Sequence, residues 1–310
     1  MISLFCQVEK LTTCPVCKSS EFLQLFECND FVASEDKFKI VRCTNCTLEF
    51  TNPRPSEENI GVYYQSTKYI SHAGSDKSEL GVTYKIYDWV RNFSIGSKLR
   101  IIKGYHKKGN LLDLGCGLGY FLNGVKLDKT FDAIGADVSD EAVNYVDKEF
   151  GIKVVKENHL NTIEEGHFDI ITQWHVMEHV HRLDERMKLL KHILKKDGTM
   201  FIAVPISNSF DSRYYKTFWD GYDVPRHLYH FTRTSFIKLM NENGFEVVSQ
   251  RAMLFDAPYI SMRSEYHKKS KFGFLKGLSI GIISNISAWF TGNYSSIMFI
   301  VKHTNHVKTK

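Results

Sequence analysis

From about residue 110 the chain alternates short apolar runs with amphipathic stretches. The runs at 110–114, 133–137, 153–155, 168–173, 199–204 and 245–252 predict strands. The stretches at 140–150, 184–193 and 233–243 predict helices between them. Lys196-Asp197-Gly198 predicts a turn entering a strand, and Asn243-Gly244 predicts the end of a helix. Repeated strand–helix units of this kind predict an α/β fold, a mostly parallel sheet with helices on both faces. A further apolar run at 296–301 predicts a last strand.

The pattern changes on either side. Upstream, Cys14-Pro15-Val16-Cys17 and Cys43-Thr44-Asn45-Cys46 form two C-x-x-C pairs, with strands predicted at 21–27, 38–42 and 48–51. That spacing lets each knuckle offer two thiolates to one tetrahedral ion, so Cys14, Cys17, Cys43 and Cys46 predict a structural zinc ribbon. Asn52-Pro53-Arg54-Pro55 reads as a stiff linker closing it. Residues 56–108 look helical and aromatic, with a short helix at 59–64 and a longer one at 84–103. The expected division is a zinc-ribbon module at 1–55, a helical aromatic lid at 56–108 and a core at 109–310 with an insertion at about 256–294. In that insertion Arg263, Lys268, Lys269 and Lys271 precede a moderately apolar stretch rich in Gly and Ser. It can rest on a membrane surface, which would suit a lipid-linked saccharide. It can equally be a helical pair packed on the core or at a dimer interface, and that second reading is preferred.

Composition narrows the classes. The chain has 310 residues, 43% hydrophobic and 24% charged, with a net charge of +5, as in an ordinary soluble globular protein. The ribbon itself is net acidic: Lys10, Lys18, Lys37, Lys39 and Arg42 stand against Glu9, Glu21, Glu27, Asp30, Glu35, Asp36 and Glu49. Nucleic-acid gripping by the ribbon is therefore disfavoured. Met1 to Cys6 lacks the basic and apolar regions of a signal peptide, and no run of about 20 residues is apolar enough to predict a span. The expected location is the cytoplasm, with cysteines as thiols or metal ligands.

The segment Leu111-Leu112-Asp113-Leu114-Gly115-Cys116-Gly117-Leu118-Gly119-Tyr120 carries the chemistry. A strand, a glycine turn, a helix and a second strand ending in Asp137 form the layout that binds an adenosine-containing cofactor at the carboxyl ends of parallel strands. Glycine at alternate positions, with an acid two residues ahead, resembles motif I of the class I S-adenosylmethionine-dependent methyltransferases. Phe168-Asp169-Ile170-Ile171 followed by Val176-Met177-Glu178-His179-Val180 resembles the fourth-strand motif of the branch that includes ubiquinone-type O-methyltransferases. Leu194 to Thr199 resembles its turn motif; Pro225-Arg226-His227-Leu228, Phe231-Thr232 and Gly244-Phe245 resemble its late motifs. The resemblance implies a Rossmann-like sheet with an antiparallel last strand and S-adenosyl-L-methionine as cofactor. It implies that Asp113 holds the ammonium, that Gly115, Gly117 and Gly119 let the backbone approach, and that Asp137, with Val138 beside it, takes the ribose hydroxyls. Asn158 can stand for the acid that relatives place near the adenine amine, and Gln173 and Trp174 are expected beside the methionyl end.

Methyl transfer to a hydroxyl needs alignment and a base. His227, in a loop beyond the fifth strand, is the expected general base, with Tyr222 in the same loop and His179 as further catalytic candidates. His175-Val176-Met177-Glu178-His179 matches the H-x-x-E-H pattern of inverted zinc peptidases. The methyltransferase context already accounts for that segment, with Glu178 and His179 capping a helix and shaping the pocket, and His175 near the substrate. Tyr64, Tyr69 and His72 are lid candidates. The order of ribbon, lid, core and late histidine loop resembles methyltransferases of sugars in antibiotic and surface-polysaccharide synthesis. The expected acceptor is a saccharide or other small molecule, methylated at a hydroxyl or carbon. The alternatives are an RNA methyltransferase using its ribbon, or a non-catalytic zinc-ribbon adaptor.

Overall fold

A computed structural model describes residues 8–65 and 81–304. The strands are β1 (Val8–Glu9), β2 (Phe22–Asn29), β3 (Lys37–Cys43), β4 (Glu49–Thr51), β5 (Arg54–Pro55), β6 (Asn110–Leu114), β7 (Asp132–Asp137), β8 (Val154–Lys156), β9 (Phe168–Trp174), β10 (Leu194–Pro205), β11 (Tyr229–His230), β12 (Phe245–Ala252) and β13 (Ser296–His303). The helices are α1 (Gly81–Tyr105), α2 (Tyr120–Asp128), α3 (Asp140–Phe150), α4 (Leu183–Ile193), α5 (Phe210–Tyr215), α6 (Arg233–Glu242), α7 (Asp256–His267) and α8 (Gly273–Thr291).

The main sheet has seven strands in the order β12-β13-β10-β9-β6-β7-β8. Strands β10, β9, β6, β7 and β8 pair in parallel, and β13 runs antiparallel between β10 and β12. The order reverses at β6, so the loops after β6 and β9 diverge to opposite faces and leave a crevice at their carboxyl ends. Local chemistry sets the helix boundaries. The Ser139 hydroxyl accepts from Ala142 N and starts α3; Gly151, left-handed, ends it. Thr232 and Ser235 form a capping box on α6.

One expectation of the fold is corrected. The turn at 196–198 lies inside β10 as a register shift between Leu194 and Thr199. A side chain at Gly198 would sit 2.7 Å from Leu194 Cδ1, so the strand curls there without breaking. The proline-rich stretch after the ribbon, expected as a stiff linker, carries β5, which pairs antiparallel with β1. Arg54 is buried, paired with Glu9, and donates to Tyr229 Oη at 2.9 Å and His181 O at 3.2 Å.

The ribbon's sheet is not closed on itself. Its order is β11-β4-β3-β2, and its edge strand β11 comes from the late part of the chain. One continuous apolar cluster runs from Cys14, Cys43 and Phe50 through Leu228 and Phe231 to Leu112, Ile171 and Ile202. The strand that reads the ribbon also fixes the loop before β11, which carries His227.

Candidate active site

At the end of β6, Asp113 is buried and accepts from Thr172 Oγ1 at 2.6 Å. Burial pushes its carboxyl up to about 7, against the opposing pull of Thr172 and the Lys98 ammonium. The loop that follows needs glycine at each alternate position, because φ is 77° at Gly115, 51° at Gly117 and 71° at Gly119. At Gly115 and Gly119 a side chain would also strike Val176 and Val146 at 2.5 and 2.6 Å, whereas at Gly117 it would meet nothing within 4 Å. Gly117 therefore faces open space over the sheet end. Asp137, ending β7, accepts from Gly117 N at 2.8 Å and Ser139 N at 2.9 Å. It thus ties the loop to the next helix. Val138 beside it is exposed, and Asn158 lies exposed in the turn after β8.

At the end of β9, Gln173 Nε2 and Trp174 Nε1 are buried donors without a hydrogen-bond partner among the described residues. Lys98 of α1 stands 4.1 Å over the Trp174 ring, close enough to Asp113 and Asp256 to feel both charges. An open glycine cradle, a buried acid and two orphaned donors on adjacent strand ends suit a cofactor that carries an ammonium and a carboxylate.

Beyond β9 the backbone of His175 is left-handed, with φ 58°. Its ring lies between two carboxylates, Nε2 3.1 Å from Asp256 Oδ2 and Nδ1 3.3 Å from Glu178 Oε1. Burial opposes its charge, but Asp256 and Glu178 outweigh burial and carry the imidazole up to about 10. Glu178 is fully buried and neither oxygen has an aligned hydrogen-bond partner. Burial would raise its pKa, yet the His175 charge holds it below the usual value.

Next to it, the His179 and His227 rings meet edge to face with centroids 4.6 Å apart. His227 Nδ1 lies 2.9 Å from Gly221 O, and His179 Nδ1 lies 3.0 Å from Arg226 O. A carbonyl only accepts, so each Nδ1 carries a proton, and Nε2 is the nitrogen that bears the lone pair in the neutral ring. Tyr64 Oη is also 3.0 Å from His179 Nδ1. Burial and the His227 charge push His179 down to about 4, so it is neutral at physiological pH. Glu178, His179 and His227 each offer a ligand atom within 4.8 Å of the others. Glu178 and His179 do not cap a helix, as the sequence reading had them; their turn has no side-chain cap.

Not every candidate joins this cluster. The Tyr222 hydroxyl faces Glu49 Oε2 at 3.4 Å and its ring packs on Trp219, Phe26 and His230. Tyr69 and His72 lie outside the described residues. Sequence reasoning missed Lys98, Asp256 and the buried Arg226 network. Arg226 is fully buried, pairs with Asp30 at 2.9 Å and Asp223 at 2.6 Å, and donates to Tyr63 O at 3.2 Å. Only its place beside His227 in the late motif pointed to it.

Cys14, Cys17, Cys43 and Cys46 cluster as the spacing predicted, with Cys14–Cys46 and Cys17–Cys43 sulfur pairs 3.5 Å apart. All four sulfurs lie within 4.8 Å of one another, a donor set suited to one structural zinc ion.

The sequence model of a family described as a methyltransferase domain matches residues 92–250, half of the chain. The chain belongs to that family. It is a class I S-adenosylmethionine-dependent methyltransferase. Among solved structures, the methyltransferase is similar to geranyl diphosphate C-methyltransferase from Streptomyces coelicolor, at 13% identity and a TM-score of 0.50, covering 74% of this chain and 90% of that one. It is also similar to an S-adenosylmethionine-dependent methyltransferase from Archaeoglobus fulgidus, at 20% identity and a TM-score of 0.48, over 68% and 94%. No curated protein matches the methyltransferase. Among the described residues, no helix is long and apolar enough to cross a membrane.

Proposed function

We propose that this methyltransferase transfers a methyl group to a hydroxyl or acidic carbon of a saccharide or other small-molecule acceptor, with His227 as general base. What carries the reading is the pair of half-buried imidazoles whose Nδ1 protons are committed to backbone carbonyls, clustered with the buried Glu178 carboxylate, whose one charged neighbour described above is His175. When bound, S-adenosylmethionine supplies a methyl group on a positive sulfur that leaves as a neutral thioether. Asp113 holds its ammonium, Asp137 its ribose, and Gly117 leaves the room it needs; Lys98, Gln173 and Trp174 provide donors for its carboxylate. His227 Nε2 takes the acceptor proton, and the adjacent Glu178 stabilises the imidazolium that results. Neutral His179, oriented by Arg226 O and Tyr64, keeps a second positive charge away from it. The Cys14, Cys17, Cys43 and Cys46 site holds structural zinc.

The test is His227→Ala with radiolabelled cofactor and candidate sugar nucleotides or lipid-linked saccharides. A general base contributes about 10²- to 10⁴-fold, so kcat should fall by that factor while cofactor affinity stays put. Unchanged transfer to the true acceptor removes His227 from the role.

One observation favours a second reading of the same cluster. Two imidazole nitrogens and a buried carboxylate, each within 4.8 Å of the others, form a donor set suited to a divalent cation. Glu178, His179 and His227 would then hold an ion that orients the acceptor oxygen. Titration calorimetry with Mn²⁺ or Mg²⁺ on wild type and Glu178→Gln decides between them: heat that the variant abolishes supports the ion, and its absence leaves His227 as a base.

A further inference from the structure

Helices α7 and α8 form an antiparallel hairpin whose packing is inverted. The face of α8 turned to the protein is made of small residues: Gly277, Gly281, Ser284 and Ala288, with Ile280. A side chain at Gly277 would lie 2.5 Å from Met262 Cα, and one at Gly281 would lie 2.3 Å from Pro258 Cα, so the two backbones touch. Close helix contact over a Gly-x-x-x-Gly stripe is how helices pair in lipid, where large side chains face outward. The outward face of α8 follows suit. Phe274 is 68% exposed, Trp289 70% and Phe290 86%, with Leu275, Ile282, Ile283 and Ile286 between them. At 19 residues the helix is about 28 Å long.

We propose that this hairpin seats the protein on a bilayer surface carrying anionic phospholipid headgroups, with α8 lying in the plane of the interface. Charge supports that occupant. In the turn between the helices, Lys268, Lys269 and Lys271 are exposed. The only acids of the hairpin, Asp256 and Glu265, point inward, Asp256 to His175 and Glu265 to Lys276. Arg263 is taken by Asp220. The exposed charge that the hairpin itself carries is therefore all positive, which complements anionic headgroups. A second copy about a two-fold axis would instead bring faces of one sign together. Trp289 and Phe290, at the far end of α8, suit the interfacial aromatic positions of a membrane-bound helix.

The seat is joined to the catalytic cluster. Asp256, the first residue of the hairpin, makes the 3.1 Å contact to His175, and Asn285 of α8 donates to Leu254 O at 2.9 Å just before it. The inference goes beyond the proposed acceptor, and its test requires no methyl transfer, so the two can fail separately.

The experiment is flotation of the full chain with phosphatidylcholine vesicles, with and without about one third phosphatidylglycerol. Wild type should float with the anionic vesicles, less so as salt rises. Replacing Lys268, Lys269 and Lys271 by Gln should weaken partitioning by about fivefold for each lysine. Phe274→Ser, Trp289→Ser and Phe290→Ser together should abolish it; all three sites are exposed, and retained cofactor binding by calorimetry verifies the fold. Leu127→Ser, on the exposed end of α2, should change nothing. The proposal is overturned if wild type stays in solution with both vesicle types, or if the variants float as wild type does. It is likewise overturned if sedimentation shows a dimer that the triple aromatic variant dissolves while no vesicle binds.

Discussion

Asp113 makes cofactor affinity a measurable function of pH. The carboxyl is 1% exposed and burial lifts it to about 7, where an exposed aspartate would titrate near 3.8. The sign follows from the ligand. In the proposed site the cofactor's ammonium binds the ionised carboxylate, so each protonated Asp113 is a chain that must first lose its proton. The apparent dissociation constant scales as the inverse of the ionised fraction. Relative to its alkaline value it should be about 2-fold higher at pH 7, about 11-fold at pH 6 and about 100-fold at pH 5. Each unit corresponds to about 1.4 kcal/mol. Above about pH 8 the cofactor's own amine loses its proton and affinity falls again. The acid limb belongs to the protein and the alkaline limb to the ligand.

The assay is calorimetry of S-adenosylhomocysteine, which keeps the amino-acid end, in buffers of different ionisation enthalpy. At pH 6 binding should release about 0.9 proton. Asp113→Asn keeps the shape and the Thr172 contact but cannot ionise. It should bind about 1.5–3 kcal/mol more weakly at pH 8, the worth of a hydrogen bond to a charged group. It should also lose the acid limb. A dissociation constant constant from pH 8 to 6, or an identical slope in Asp113→Asn, would refute the assignment.

Three more outcomes follow from the packing. Asp30→Ala should cost about 3–5 kcal/mol in urea unfolding, because it strips a buried partner from Arg226 and leaves the amides of Val32, Ala33 and Ser34 without their acceptor. Gly281→Leu should destabilise the fold by about 1–3 kcal/mol or more through overpacking against Pro258, read as a lower melting temperature, while Gly61→Ala, where a side chain meets nothing within 4 Å, should be nearly silent. Cys43→Ser should lose its zinc by atomic emission, and chelation of the wild type should increase hydrogen exchange in β11 as well as in the ribbon, because β4 and β11 share a ladder.

The parts of the site visible in the sequence are those whose chemistry is local. A backbone that must pass through positive φ three times in five residues needs glycine wherever the rest of the chain goes. Two C-x-x-C knuckles announce themselves in the same way. Contacts between distant segments left no such mark. Asp256 reaches His175 across 81 positions and Arg226 reaches Asp30 across 196. Neither acid sits in a patterned stretch that would single it out. The proline-rich segment after the ribbon shows the same limit: prolines speak of local stiffness, while Arg54 is placed by Glu9, Tyr229 and His181. In α8 apolarity is legible but its face is not, since the residues that pack are small and the large ones point outward.

These long-range contacts explain why a ribbon and a methyl-transfer core occupy one chain. His227 lies just before β11, and its main chain is held from two sides. Thr51 of the ribbon strand β4 donates from its hydroxyl to His227 O at 3.1 Å and from its amide to Leu228 O at 3.0 Å. Leu228 N donates to Glu178 O at 2.7 Å, which joins the same segment to the turn after β9. Arg226, one residue earlier, is locked to Asp30 in the ribbon's hairpin and to Tyr63 O beside the lid turn. The placing of the His227 imidazole against the Glu178 carboxylate and the His179 imidazole is thus tied to hydrogen bonds that begin in the four-cysteine ribbon. A loop of this length left to solvent would sample many positions, and a base displaced by about 1 Å can lose about 100-fold in rate. Four thiolates and a short shared ladder replace that freedom with one geometry, so under the role proposed for His227 the ribbon would set the base without touching substrate.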